Sequence, residues 1–240
     1  VTAEIVDNDG SIQHAESSNN VTIAGLNDMA VRFVEDSDGN VSLTRDESMK
    51  DGNLKETTIA VKVPNNVIAG DVVNVTINGT SPKIYKVTGK DNQGKITLED
   101  TSDGTLKTVN DKNEFEIKGV HIEAGKPINV TAETTDASGG KKAEAQNHNT
   151  LEKLHDDMKI TFDADKHHGV DGILDNTEAT GTETKATIKL PSNFVLGDKL
   201  KVESYNEDTP NNKTTKTYEI EKDEVSGKLI AKNGSEELDI

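Results

Sequence analysis

The sequence predicts an all-β protein made of β-sandwiches in tandem, and three observations predict it. Apolar and polar residues alternate with period two along many short runs, turn-forming dipeptides fall between those runs, and long blocks of sequence return at the spacing of one domain. Alternation places one side-chain row in a core and the other in water, as half-buried antiparallel strands require. Thr58-Ile-Ala-Val-Lys-Val63 is such a run, followed by Val73–Ile77, Lys95–Leu98, Phe115–Lys118 and Ile128–Ala132. The theme returns at Ala186–Leu190, Lys199–Val202 and Thr217–Ile220. Between the runs lie Asp38-Gly39, Asp51-Gly52, Ala69-Gly70, Asn78-Gly79, Gln93-Gly94, Asp103-Gly104, Ala124-Gly125 and Ser138-Gly-Gly140. Such pairs favour tight turns. About seven to nine short strands per unit point to a sandwich with Greek-key connections. The stretch Asn149–Asp157 reads as a last strand and a link between domains.

The repeats fix the units. Val1-Thr-Ala-Glu4 returns as Val130-Thr-Ala-Glu133, and Met29-Ala-Val-Arg-Phe33 returns as Met158-Lys-Ile-Thr-Phe162, both 129 residues on. The block Glu56–Asp71 returns as Glu183–Asp198, 127 residues on. This period exceeds that of solenoid repeats and suits one domain. Residues 29–157 therefore form one complete unit. Residues 1–28 correspond to the end of a preceding unit, and residues 158–240 to a following unit without its last strands. The polypeptide is expected to continue in both directions.

Composition narrows the function. A net charge of −17, from 44 acidic and 27 basic side chains, argues against nucleic acid, whose phosphates need a basic face. It equally disfavours anionic membrane surfaces. Divalent cations are natural neutralisers of clustered carboxylates; a solvated acidic surface is the alternative. There is no cysteine, so no disulfide can staple the fold, and only 31% of residues are hydrophobic. That content suits small sandwiches with thin cores. No run of about 18 apolar residues suggests membrane insertion, and no signal peptide is visible from Val1 on, so any secretion signal is expected to lie outside this sequence.

Three motifs recur in fixed order. An acidic opening runs from Phe33 through Asp36, Asp38-Gly39 and Leu43 to Glu47, and again from Phe162 through Asp163, Asp165, Asp171-Gly172 and Leu174 to Glu178. A strand, proline and Gly-Asp follow at Val63-Pro64 to Gly70-Asp71 and at Leu190-Pro191 to Gly197-Asp198. A closing segment runs from Val130 through Asp136 to Gly139, with its counterpart from Val1 through Asp7 to Gly10. Together these resemble the bacterial Ig-like repeats of giant, type I-secreted RTX-type adhesins and biofilm-associated proteins, over essentially the whole chain. The resemblance implies tandem immunoglobulin-like β-sandwich (Greek-key) domains. It also implies calcium held where the acids of one opening meet the closing turn of the domain before. Carried over, Asp36, Asp38, Glu47, Asp163, Asp165, Asp171 and Glu178 become ligand candidates, with Asp7 and Asp136 from the closing turns.

Neither opening is expected to follow EF-hand spacing. Asp7-x-Asp9-Gly10 to Glu16 comes near it, but Ile5 stands where the first ligand belongs, and the equivalent Asp136 turn has lost the pattern. Gly70-Asp71 and Gly197-Asp198 lack the Lys-Ser/Thr of a phosphate loop and read as turns entering strands. His167-His168 has no second spaced pair and reads as surface histidine. No Gly-x-Ser-x-Gly or His-Glu-x-x-His occurs, so no enzyme is expected. Seven Asn-x-Ser/Thr triplets, such as Asn40-Val-Ser42 and Asn78-Gly-Thr80, suit a Thr- and Asn-rich β protein by chance.

These readings converge on extender repeats of a bacterial cell-surface or secreted adhesin. Their partners would be neighbouring repeats, with a host or surface ligand reached through a distal domain. A module that itself binds glycan or host protein, and an S-layer-type array, are the alternatives.

Overall fold

In a computed structural model the described residues are 3–6, 12–15, 26, 28–140, 142–165, 185–205 and 211–238. They form an all-β sandwich protein with antiparallel strands and one short helix. A hairpin of β1 (Ala3–Val6) and β2 (Ile12–Ala15) comes first.

The first sandwich follows. One sheet holds β3 (Ala30–Phe33), β4 (Glu56–Lys62) and β9 (Glu114–His121), in that order. The facing sheet is ordered β11-β10-β5-β6-β7-β8. Its strands are β5 (Val72–Ile77), β6 (Lys83–Lys90), β7 (Ile96–Asp100), β8 (Leu106–Thr108), β10 (Pro127–Thr135) and β11 (Lys142–Thr150). The meander β5-β6-β7, with β10 returning beside β5, is the 4-1-2-3 order of a Greek key.

The alternation read from sequence becomes burial. Along β10, Ile128, Val130, Ala132 and Thr134 face inward, between exposed Pro127, Asn129 and Thr131. They meet Val73 and Val75 of β5 and, from the other sheet, Phe33, Ile59, Val61 and Phe115 in one core. Tyr85 and Phe115 join the sheets, with ring centroids 4.7 Å apart and tilted planes, an arrangement aromatic quadrupoles favour. Arg32 of β3 reaches across β4 to Glu114 of β9 through two hydrogen bonds of 2.9 and 2.8 Å. Each buried methylene contributes roughly 0.8 kcal/mol, so this single core carries most of the stability in a chain without disulfides.

A second, smaller core gathers Leu190, Leu200, Tyr218, Ile220 and Ala231. Its strands are β12 (Lys159–Phe162) with β13 (Ala186–Lys189), and a sheet ordered β14 (Lys199–Ser204), β15 (Thr214–Lys222), β16 (Leu229–Asn233), β17 (Glu236–Leu238). Asn149 and Thr150 end β11, Leu151 makes a bridge, and residues 152–158 run on without helix. That stretch is the expected last strand and link. Among the described residues no helix is long and apolar enough to cross a membrane.

Candidate metal centre

The opening between β3 and β4 folds into a loop and a one-turn helix, α1 (Arg45–Ser48), which runs on into a 3-10 turn, Met49–Asp51. Local side-chain hydrogen bonds shape it. Asp36 Oδ1 accepts from the Gly39 N–H at 2.7 Å, Asp38 Oδ1 from Asn40 N–H at 3.1 Å, and Asn40 Oδ1 from Ser42 N–H at 2.8 Å. Short polar side chains bonding to backbone just ahead wind a chain into consecutive turns. Thr44 then caps α1. Its hydroxyl accepts from Glu47 N–H, while Glu47 Oε2 accepts from the Thr44 N–H and hydroxyl, a capping box.

The winding draws three acids together. One carboxylate oxygen each from Asp36, Asp38 and Glu47 lies within 4.8 Å of the other two, the one such group among the described residues. Ser37 adds bonds to Glu47 Oε1 from its N–H at 3.1 Å and its hydroxyl at 2.7 Å. Burial of Glu47 disfavours its ionised form, yet the bonds from Ser37 and Thr44 outweigh burial and hold it below the usual glutamate value. It stays charged beside two other carboxylates, with Lys50 Nζ at 4.0 Å.

The loop corrects the reading of its spacing. Counted from Asp36, the residues Asp36, Asp38, Asn40, Ser42, Thr44 and Glu47 fall at the first, third, fifth, seventh, ninth and twelfth places. Those are the ligand places of the EF-hand calcium loop. Asn40, Ser42 and Thr44 were missed as candidates, and counting every second residue from Asp36 would have found them. The departure is the sixth place, where that loop uses glycine for a sharp turn. Here Val41 takes it, with φ 61°. A β-branched residue in that region is strained by about 1–3 kcal/mol, so the loop's hydrogen bonds hold a conformation that valine resists. Leu43, at the eighth place, is fully buried and pairs with Leu151. Its N–H donates to Thr150 O at 3.0 Å, and its carbonyl accepts from Glu152 N–H at 2.8 Å. Asn149 Nδ2 donates to Asp36 Oδ2 at 2.7 Å. The loop is thus sewn to the last strand, at the end where the chain leaves the unit.

The donor set fits a hard cation: three carboxylates, an amide oxygen, two hydroxyls and neighbouring carbonyls suit calcium's demand for six to eight oxygens. The other described candidates, Asp136, Asp163 and Asp165, lie outside this cluster. Asp136 sits in the β10–β11 turn, at the opposite end of β11 from Asn149. At about 3.3 Å per residue, the seven-residue step from Lys142 to Asn149 already spans roughly 23 Å. Its Oδ1 accepts from Ser138 N–H, the Ser138 hydroxyl and Gly140 N–H, so it caps its own turn; of the following unit's opening acids, which it is expected to meet, only Asp163 and Asp165 are among the described residues. Asp163 follows β12; its N–H donates to Lys185 O, and its Oδ1 accepts from the Thr187 hydroxyl at 3.0 Å. Asp165, 2% exposed, is next along that turn. Asp7, Asp171 and Glu178 lie outside the described residues, as do His167 and His168.

Among the described residues the two units meet through hydrogen bonds. Arg45 of α1 donates from Nε to Asn193 O at 3.1 Å and from Nη2 to Asp198 Oδ1 at 2.5 Å. His155 N–H donates to Asn193 Oδ1 at 2.9 Å, Asn193 Nδ2 to Lys153 O at 2.9 Å, and Ser192 N–H to Asp157 Oδ1 at 3.0 Å. The Pro191–Asp198 segment is one of the repeated motifs. In the first unit the equivalent Asp71 accepts from Ile68 N–H and, at Oδ1, from Ala137 N–H of its own closing turn. Asp198 keeps the local bond, from Val195 N–H, and turns its other oxygen to Arg45. No protein-family model and no curated protein matches this chain.

Proposed function

We propose that the chain is part of an extender array in a bacterial cell-surface or secreted adhesin of the kind its motifs resemble. Its sandwiches stand end to end, each opening loop holds a calcium ion, and the array supports adhesion or biofilm formation from outside the cell. The observation that carries this reading is the continuity of the 36–47 loop with the contact between units. Asp36, Asp38 and Glu47 converge on one side of α1, and Arg45, within the same helical turn, grips Asn193 and Asp198 of the next unit.

Calcium would supply positive charge that offsets the repulsion of three clustered carboxylates. Asp36, Asp38, Asn40, Thr44 and Glu47 would hold it. Glu47 ties the loop to α1, Leu43 ties it to the exit strand, and Arg45 carries that order into the neighbour. A segment built this way transmits stiffness, and nothing in it calls for turnover of a substrate.

Small-angle scattering of the chain in calcium and in chelator tests the proposal. Calcium should give a longer and better-defined particle. Asp36→Ala and Asp165→Ala together should remove part of that response, and Asp71→Ala should leave it. If chelator leaves the maximum dimension unchanged, the acids are a solvated surface only.

A further inference from the structure

The two units treat one tyrosine differently. Tyr85 of β6 lies opposite Val73, and Tyr218 of β15 lies opposite Leu200, which follows Val73 at the 127-residue spacing of the repeat. The two tyrosines are therefore equivalent, and both are buried, at 1% and 3% exposure. In the second unit the Tyr218 hydroxyl donates to Glu236 Oε1 at 2.9 Å. Lys216 Nζ donates to both oxygens of the same carboxylate at 2.8 Å. Lys83 precedes Tyr85 by two residues, as Lys216 precedes Tyr218. The lysine and the tyrosine recur together, and in the second unit a carboxylate joins them.

The next hairpin explains why the first unit differs. In the second unit Asn233 pairs with Glu236 across a two-residue turn. In the first, Asp100 lies opposite Tyr85 and its N–H donates to Thr105 O at 2.9 Å, with four residues between them. Thr105 thus stands where Glu236 does, with a shorter side chain and no charge. Among the described residues no group bonds the Tyr85 hydroxyl, and Lys83 makes no ion pair. A cavity of about 320 Å³ opens there, lined by Lys83, Tyr85, Asp100, Asp103, Thr105 and Lys107 among others. Small-ligand sites begin at about this size. A buried hydroxyl left without a partner is costly, so the place favours a group that accepts from it. Burial, with Asp100 and Asp103 nearby, raises the Tyr85 phenol above its ordinary value, so it keeps its proton and remains a donor.

We propose that this cavity binds the carboxylate of a ligand, which bonds Lys83 and Tyr85 as Glu236 bonds Lys216 and Tyr218. The acids of the lining are already engaged. Asp100 Oδ1 accepts from the Ser102 N–H at 3.0 Å and hydroxyl at 2.6 Å, and Asp103 Oδ1 accepts from Thr105 N–H at 2.8 Å. Lys107 Nζ is engaged too, donating across the sandwich edge from β8 to Glu116 O of β9 at 3.1 Å. What the lining offers a newcomer is the ammonium of Lys83 and the hydroxyl of Tyr85, a donor pair suited to a charge-assisted bond. Acidic sugars and acidic peptides both present the matching group. This site stands apart from the 36–47 loop and does not depend on calcium there.

The test titrates glucuronate and N-acetylglutamate into the whole chain, each against its neutral counterpart, glucose or N-acetylglutamine, with backbone amide resonances as the readout. The expected result is a saturable shift around residues 83–85 and 105–107 with at least one carboxylate and with neither neutral compound. Glucuronate alone would identify an acidic sugar as the source, N-acetylglutamate alone an acidic peptide, and both the carboxylate itself. Thr105→Glu supplies the second unit's carboxylate from within and should abolish binding. Lys83→Gln and Tyr85→Phe should each weaken it about tenfold, as for loss of a hydrogen bond to a charged group. Tyr85→Phe keeps the buried ring, so melting of the first unit should stay in place, whereas Tyr218→Phe should lower melting of the second. No saturable shift with either carboxylate overturns the proposal. So does a shift that persists in Thr105→Glu, or equal binding of the neutral compounds.

Discussion

Phe33 and Phe162 occupy the same place in two copies of one repeat, yet one is 1% exposed and the other 43%. Their strands have the same length, follow a methionine at the same offset, and pair antiparallel with the next strand in the same way. The difference lies in what stands opposite. β3 has β9 on the far side of its sheet and β10–β11 across the core; β12 has β13 alone among the described residues. The period-two pattern selects a strand and chooses its inward face. Whether that face becomes a core depends on strands far along the chain.

The largest test of that contrast is truncation of the two phenylalanines. Phe33→Ala should cost about 3–5 kcal/mol, as for a fully buried aromatic. Phe162→Ala should stay within roughly 0.5 kcal/mol, as at an exposed site. Denaturant unfolding, with the two units followed as separate transitions, measures both. Equal losses would mean that Phe162 is covered in solution and that the contrast between units is false.

A smaller effect is expected at the contact between units. Arg45 and Asp198 have side chains 7% and 23% exposed, so water screens their attraction only in part. A double-mutant cycle with Arg45→Met and Asp198→Asn should return a coupling of about 1–2 kcal/mol, within the range for contacting residues. Asp71→Asn, paired with the same Arg45→Met, should show none, because Asp71 bonds within its own unit. Coupling to Asp71 instead would reverse the assignment of the two loops.

The smallest effect concerns acid. The Arg32 guanidinium, doubly hydrogen-bonded to Glu114, lowers that carboxyl from 4.5 to about 2. A lowered folded value means stability that is fully present above about pH 4.5 and lost as pH falls towards 2. Arg32 is 42% exposed, so solvent screening limits the pair to about 1 kcal/mol or less. Thr161 stands at the matching place in the second unit, so only the first should lose stability in this way. Glu114→Gln should flatten the pH dependence of its unfolding between pH 4.5 and 2, and an unchanged slope would assign the acid sensitivity to other carboxylates.

Much of the fold was legible because its signals are local. Alternation in Ile128–Ala132 and the turn at Ser138-Gly-Gly140 need no partner to be read. α1 was missed: one helical turn is too short for a 3.6-residue period, and its signal is the Thr44–Glu47 capping box. The acidic cluster of the opening loop was half legible. Asp36, Asp38 and Glu47 stood out as acids, but Val41 in place of the turn glycine hid the twelve-residue spacing. The place of Asp136, at the end of β11 away from the 36–47 loop, was not legible at all, because it depends on the direction in which β11 runs past β3. Nor was Arg45, whose partners lie about 150 residues on.

The central claim is that the 36–47 loop holds calcium and that the first unit is more stable for it. Calorimetric melting of the whole chain in calcium and in chelator, with Glu47→Gln as the comparison, tests this most directly. A site held at about 100 times its dissociation constant adds roughly 2.7 kcal/mol. For a unit of this size that raises the first unit's transition by about 10 °C. The account predicts that rise in the unsubstituted chain and its loss in Glu47→Gln. Superimposable melting curves in calcium and chelator would contradict it.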